Sequence, residues 1–441
     1  MKEYSTNQVR NVVLVGHGGS GKTSLVEAML HTSGATTRLG QVEDSSTVAD
    51  YEDEERNRKM SISTALVACE YEDHKINLLD TPGFTDFVGE VKSGLQVADA
   101  AIVVIDAVAG VEVGTELVWD YCDEYNLPRF VVINKLDRDN ANFQKALTSV
   151  QQLASNKKLI PVTLPWGEKS ELKGVIGLLS QRAWPGAGSN TENIPAEYED
   201  AVAAARIDLE EAAAEGDDEL LMRYLDGEAL NPDEIEHGFK AAVLAGSCAP
   251  VLVASATQEI GIAALLLSIS RYLPSPAERP AISAEAHNGS EQIQANDSGP
   301  QAVFAFKTTA DPFVGRLTYL RVMSGVLESD SRIHNHSRKA NERIGTLHVM
   351  RGKEQIPVKR LHAGDLGTIP KLVETVTGDS LGDKANELRF PTAQFPEKLF
   401  AVAVRPRTQA DSAKMGPTLS RLCEEDPTLG YHNEAATKQT I

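Results

Sequence analysis

The rhythm of apolar positions changes along the chain. Up to about residue 160, short apolar runs alternate with amphipathic stretches. Asn11 to Val15 (NVVLV), Lys75 to Leu79, Ala101 to Ile105 (AIVVI) and Phe130 to Ile133 (FVVI) read as strands. The last two are uninterrupted, as in strands buried on both faces. Lys22 to Leu30, Val91 to Ala98 and Glu116 to Glu124 predict helices between them. This alternation predicts a doubly wound, parallel α/β sheet, which resumes at Pro250 to Ala254 (PVLVA). Before that resumption, Tyr198, Val202, Ala205, Leu209 and Ala212 fall at helical spacing. Leu220, Leu221, Tyr224 and Leu225 predict a second helix, and Ile235, Phe239 and Ala242 a third. Ser275 to Gly299 is polar and has the composition of a linker. Beyond it, Val303–Lys307, Arg316–Val322, Ile344–Val349 and Gly367–Ile369 predict a small β-barrel. A strand at Leu399–Val404 and a helix near Asp411–Glu424 close the chain. The pattern divides it into an α/β domain (9–161 and 250–274), an inserted α-rich module (162–249), a linker (275–300), a β-barrel (301–390) and a partial α+β domain (396–441).

Composition adds limits. The 441 residues suit about three domains, and 41% apolar with 24% charged residues is a globular balance. No apolar run approaches the roughly 18 residues of a membrane span, and Met1-Lys2-Glu3-Tyr4 is no signal peptide. Cys69, Cys122, Cys248 and Cys423 are widely spaced, which fits reduced thiols in a cytoplasmic protein. The net charge of −20 argues against loose binding to DNA or other nucleic acid. That charge is uneven. Pro195 to His237 holds 15 acidic and 2 basic residues, whereas Gln301 to Ile441 holds 20 basic and 16 acidic. A specific contact between the C-terminal part and RNA is therefore allowed.

Gly16-His17-Gly18-Gly19-Ser20-Gly21-Lys22-Thr23 fits GxxxxGK[ST], follows a strand and opens a helix that continues through Ser24. Such a loop turns backbone N–H groups and a helix N-terminus toward phosphate oxygens. Lys22 would reach the β- and γ-phosphates and the Thr23 hydroxyl would ligate Mg²⁺. Chance supplies about 0.02 such matches in a chain of this length. Asn134-Lys135-Leu136-Asp137 follows a buried strand at the carboxyl edge of the sheet. The Asp137 carboxylate can accept from guanine N1–H and its 2-amino group, which adenine cannot supply, so the pair of motifs selects GTP and GDP. Asp80-Thr81-Pro82-Gly83 fits DxxG. Asp80 would hold Mg²⁺ through water, and the Gly83 N–H would sense the γ-phosphate. Ser255-Ala256, after the strand at Pro250–Ala254, would bring a backbone N–H to guanine O6. Asp137 and Ser255 should touch one base although 118 positions separate them, so the intervening acidic helices form an insertion.

Together these residues resemble the translational GTPases, closest to the elongation factor G family and its second, elongation factor G-like branch. Arg58-Lys59-Met60-Ser61-Ile62 looks like the family's first switch, usually RGITI, and Asp80 to Phe84 like its DTPGH. The acidic module is similar to the G′ subdomain. Gly315-Arg316-Leu317-Thr318-Tyr319 and Ala363-Gly364-Asp365-Leu366-Gly367 resemble the second-domain barrel, and Ala403 to Pro427 the start of the third domain. The resemblance implies an α/β P-loop GTPase domain with an inserted G′ subdomain, then a β-barrel and part of an α+β domain. It implies a monomeric, cytoplasmic GTP-hydrolysing factor acting on the ribosome, with Lys22 and Gly83 in catalysis and Thr23, Ser61 and Asp80 around Mg²⁺.

Four departures qualify this expectation. The switch threonine is Ser61, which keeps a hydroxyl. Gly19 stands where the family usually has Asp. Phe84 stands at the water-positioning histidine and carries no proton donor or acceptor. The family also continues through further domains, one of which drives translocation. Slow hydrolysis, a regulatory GTP switch with negligible catalysis, and a partial, non-translocating product are all consistent with these departures. His334-Asn335-His336 reads as an exposed barrel turn, and Arg338 to Arg343 as a solvated basic face with scope for a ribosomal contact.

Overall fold

The computed structural model describes all residues except 155–156, 312–314, 399 and 435–438. In chain order the first part comprises β1 (Val9–Val15), α1 (Lys22–Thr32), α2 (Asp53–Arg58), β2 (Ala65–Tyr71), β3 (His74–Asp80), α3 (Val88–Val97), β4 (Ala100–Asp106), α4 (Val113–Glu124), β5 (Arg129–Asn134), α5 (Phe143–Leu153) and β6 (Lys158–Pro161). The sheet order is β2-β3-β1-β4-β5, then the strand Cys248–Val253, then β6. Only β2 runs antiparallel to its neighbour; the other pairs are parallel. Every residue of β1 and β5 is buried, because helices cover both faces. The glycine-rich turn after β1, the Asp80 turn after β3 and the Asn134 turn after β5 all leave the carboxyl ends of parallel strands. That common edge is where such sheets bind ligands.

The insertion carries more strand than the sequence suggests. β7 (Thr163–Trp166), β8 (Gly174–Gly177) and β9 (Arg182–Pro185) form an antiparallel three-stranded sheet. Four-residue strands show too little alternation to be read from sequence. The three expected helices follow as α6 (Glu199–Ala214), α7 (Asp218–Leu225) and α8 (Pro232–Ala245). Helix α7 starts where Asp217 accepts from Glu219 N and Leu220 N. Helix α8 starts at an Asn231–Glu234 capping box with Pro232 in its first turn. β10 (Cys248–Val253) returns to the main sheet, and α9 (Ile262–Tyr272) packs beneath it.

The stretch 275–300, expected as a linker, has strands of its own. β11 (Ile282–Ala286) and β12 (Gly289–Ile293) form a hairpin whose first strand also pairs with Leu388–Arg389. Only Ala284 and Ile293 of the hairpin are buried, so its composition stays linker-like. The barrel follows, led by β13 (Ala302–Asp311) and β14 (Gly315–Ser324). Its strand Leu347–Arg351 bridges to β2 through Arg351 and Val67, which joins barrel and α/β sheet edge to edge. Asn335 and His336 are buried, which corrects the exposed-turn reading there: Asn335 Nδ2 donates to Thr375 and Asp379, and the His336 ring packs edge-on against His334.

Buried charge stitches the same junction. Lys75 Nζ donates to Asp365 Oδ1 and Oδ2 at 2.7 and 2.8 Å. Asn77 Nδ2 bridges Asp365 (3.0 Å) and Asn11 (2.8 Å), and Asn11 Nδ2 continues to Asp99 at 2.7 Å. Arg321 Nη2 closes the chain on Asp99 at 2.6 Å. Past residue 390, the helix α10 (Gln409–Glu425) forms around Pro417. The strand expected at Leu399–Val404 is reduced, among the described residues, to one bridge between Val404 and Thr440. Phe400, Val402 and Val404 are exposed there, so no neighbour among the described residues rewards strand formation.

Candidate functional site

The motif residues converge on a cleft of about 380 Å³ at the carboxyl edge of the sheet. Gly18, Gly19, Gly21, Lys22, Thr23 and Ser24 line one wall, and Gly83 and Phe84 another. Asn134, Lys135 and Ala256 form the far end. The loop geometry explains the glycines. Gly21 caps α1 in the left-handed region at φ 96°. A Cβ on Gly83 would strike Lys22 Nζ and lie 2.7 Å from the Gly18 backbone. Lys22 Nζ folds back onto the loop, donating to Gly16 O at 3.0 Å and His17 O at 3.1 Å. His17 turns away from the cleft and accepts from Gly114 N at 3.2 Å.

The distant motifs are tied together through Asn134. Its Nδ2 donates to Ser20 O and its Oδ1 accepts from Ala256 N, both at 3.1 Å. Lys135 Nζ donates to Gly19 O at 2.6 Å and to Asp106 at 2.7 Å. Ser255 Oγ donates to Asp137 Oδ1 at 2.7 Å, so the two residues 118 positions apart are neighbours. Asp137 retains free acceptor capacity beyond that bond. Leu136 is buried and only spaces the motif. Thr81 Oγ1 donates to Leu14 O at 2.6 Å, pinning the Asp80–Pro82 turn on β1.

Beneath the cleft lies a set of oxygen atoms. Thr23 Oγ1 and Ser61 Oγ are 3.0 Å apart. Among the described residues, neither carboxylate oxygen of the buried Asp80 has a hydrogen-bond partner, nor has Asp50 Oδ2 or the Ser20 hydroxyl. Burial drives the Asp80 carboxyl up, and the nearby Asp50 charge adds to it. Burial likewise raises Asp50 and lowers Lys22. Uncompensated buried carboxylates are costly, and two carboxylates beside two hydroxyls suit a hard divalent cation.

Sequence reasoning missed several residues here. Asp50 carries no motif signal, and only its burial between Ala49 and Tyr51 marks it. Glu27 on α1 accepts from Val48 N (2.7 Å) and Ala49 N (3.1 Å). Glu55 accepts from Ile62 N and Ser63 N at 3.0 and 3.1 Å. These carboxylates fasten the segment that carries Ser61; Glu55 is hidden in an acidic stretch, whereas Glu27, the one acidic residue of an apolar helix, gives a local signal. Phe84 lies over Gly18, where an added Cβ would stand 3.1 Å from its ring. The ring occupies space that a side chain at position 18 would need.

Residues 7–275 match the family model of the elongation factor Tu GTP binding domain. Residues 300–384 match elongation factor G domain 2, and 395–441 match elongation factor G domain III. The chain belongs to the elongation factor G family of translational GTPases. Among solved structures, this family member is similar to ttk003000868 from Thermus thermophilus, with 33% sequence identity and a TM-score of 0.88. The match covers 98% of this chain and 63% of that one. The GTP-binding domain expected from the P-loop and Asn134–Asp137 is thereby established as a family trait.

Proposed function

We propose that the chain is a Mg²⁺-dependent GTP switch of the translation machinery that hydrolyses GTP slowly and acts on the ribosome as a cytoplasmic monomer, without binding DNA or membranes. The observation that carries it is the convergence of Lys22, Thr23, Ser61, Asn134 and Ala256 on one cleft, with the unpartnered carboxylate of buried Asp80 beneath it. Gly16 to Ser24 would wrap the phosphates with backbone N–H groups, and Lys22 would exchange its two carbonyl partners for phosphate oxygens. Asp137 would read the guanine edge, with Ala256 N beyond it. Thr23 and Ser61 would hold Mg²⁺, with Asp80 acting through water; the bound ion would offset charge on the transferring phosphoryl group.

The Gly83 backbone lies against Lys22, where its N–H can meet a terminal phosphate. Phe84 brings no proton chemistry to an attacking water and instead covers Gly18. That observation favours a second reading, in which the chain is a regulatory switch with negligible turnover. GTP turnover with and without ribosomes, beside Phe84→His, separates the two. Slow, ribosome-stimulated turnover that rises with histidine supports the first reading. Tight binding without turnover, restored only by histidine, supports the second. Fast turnover unaffected by the substitution contradicts both accounts of Phe84.

A further inference from the structure

The barrel reaches directly into the segment that carries Ser61. β13 and β14 pair with a shift in register between Ala305 and Lys307, so Phe306 is an extra residue in the strand. A bulge of this kind re-aims the side chain that follows it. Lys307 follows it, and its ammonium lies almost wholly buried at the junction. It donates to Thr64 O at 2.8 Å, to Glu90 Oε2 at 2.7 Å and to the Ser63 hydroxyl. Glu90, on α3 after the Asp80–Phe84 turn, accepts from Thr64 N at 2.5 Å, and its carbonyl accepts from Thr64 Oγ1 at 2.9 Å. One buried ion pair thus grips the Ser63 hydroxyl and the Thr64 backbone, two and three residues beyond Ser61. A second contact lies at the other end of the segment, where the hydroxyl of Tyr51, the residue after Asp50, is 3.4 Å from that of Tyr319.

We infer that Lys307 is a positioning residue through which the barrel senses the bound nucleotide, by fixing Ser63–Thr64 and so holding the Ser61 hydroxyl beside Thr23. The inference rests on the nucleotide-site reading above. GTP needs the Ser61 segment closed over its terminal phosphate, whereas GDP lacks that phosphate. Loosening the Lys307 clamp therefore weakens GTP selectively. By linkage, GTP must tighten the clamp by the same factor, so the barrel and α3 are read together with the site. A residue that merely held the domains together would weaken both nucleotides alike or neither.

The test uses the whole chain with Mg²⁺ and a non-hydrolysable GTP analogue or GDP, each competing with a fluorescent guanine nucleotide. Lys307→Met leaves Glu90 with its Thr64 bond, and Lys307→Met/Glu90→Gln removes both charges so that neither stays buried alone. Both variants are expected to lose about 5-fold or more of analogue affinity, in the typical range of coupling between sites, with GDP affinity within about 2-fold. Lys307→Arg is expected to restore most of the loss. Hydrogen exchange across 58–66 should rise in the methionine variants only in the analogue-bound state. If Lys307→Met does not fold, the charge-free double variant and Lys307→Arg carry the comparison. Equal loss for both nucleotides, or an unchanged ratio, overturns the inference. If the unmodified chain binds neither nucleotide, the underlying site reading fails instead.

Discussion

Asp365→Ala should destabilise a domain to which it does not belong. Asp365 lies in the barrel, but its carboxylate accepts two bonds from Lys75 on β3 and one from Asn77. It also accepts from Leu366 N at 2.8 Å. The Lys75 and Asp365 side chains are only 3% and 7% exposed. Removing the carboxylate strands an ammonium group inside the junction, a change worth about 3–5 kcal/mol for a buried pair. The chain's tryptophans, Trp119, Trp166 and Trp184, all precede residue 275, so their fluorescence in urea reports the α/β part and its insertion alone. The transition they follow should move by most of that amount. Lys75→Met/Asp365→Asn removes both charges and keeps an oxygen for Asn77 and Leu366 N, so it should recover all but about 1 kcal/mol. A shift below about 1 kcal/mol for Asp365→Ala, or equal losses in the two variants, would refute the idea that buried charge couples the domains.

Other outcomes follow from the same contacts. Gly83→Ala should weaken nucleotide binding and also lower the melting temperature, since the new methyl group meets Lys22 Nζ and forces the Gly18 backbone to shift; calorimetric titration and thermal melts check it. Asn134→Ala strands Ser20 O and Ala256 N, costing about 1–3 kcal/mol for the groups left unpaired, and equilibrium binding should show weakened GTP and GDP together. Burial holds the His348 imidazole below its ordinary 6.5, with Nδ1 unpartnered among the described residues. Its neutral form contributes stability above pH 6.5 that is lost as pH falls from 6.5 through the folded value. Melting temperatures at pH 7.5 and 5 should therefore differ less in His348→Gln than in the unmodified chain.

Much of the nucleotide site was legible in the sequence because its demands are local. Gly16 to Thr23 needs glycine freedom and a following helix, and Asn134–Asp137 needs a buried strand before it. Both signals lie within a dozen residues. The β11–β12 hairpin was not legible, since Gly289 to Gln292 faces solvent and offers no apolar alternation. The Leu399–Val404 expectation, of which residue 399 lies outside the described residues, failed for the opposite reason: alternation is present, but among the described residues the segment is paired only at Val404 with Thr440. Asp50, Glu90 and Lys307 act through neighbours that only the tertiary fold supplies. Lys307 meets Thr64 across 243 positions, and its aim depends on a bulge that leaves no mark in composition.

The central claim is that the cleft is a Mg²⁺-dependent guanine-nucleotide site. The most direct test displaces a fluorescent GDP with GTP, GDP or ATP, with and without Mg²⁺, in the unmodified chain and in Asp137→Ala. The account predicts displacement by GTP and GDP, with ATP weaker by about 10⁴-fold or more, tighter GTP binding when Mg²⁺ is present, and loss of the preference for guanine in Asp137→Ala. Equal displacement by ATP and GTP in the unmodified chain, or a preference that survives Asp137→Ala intact, would contradict it.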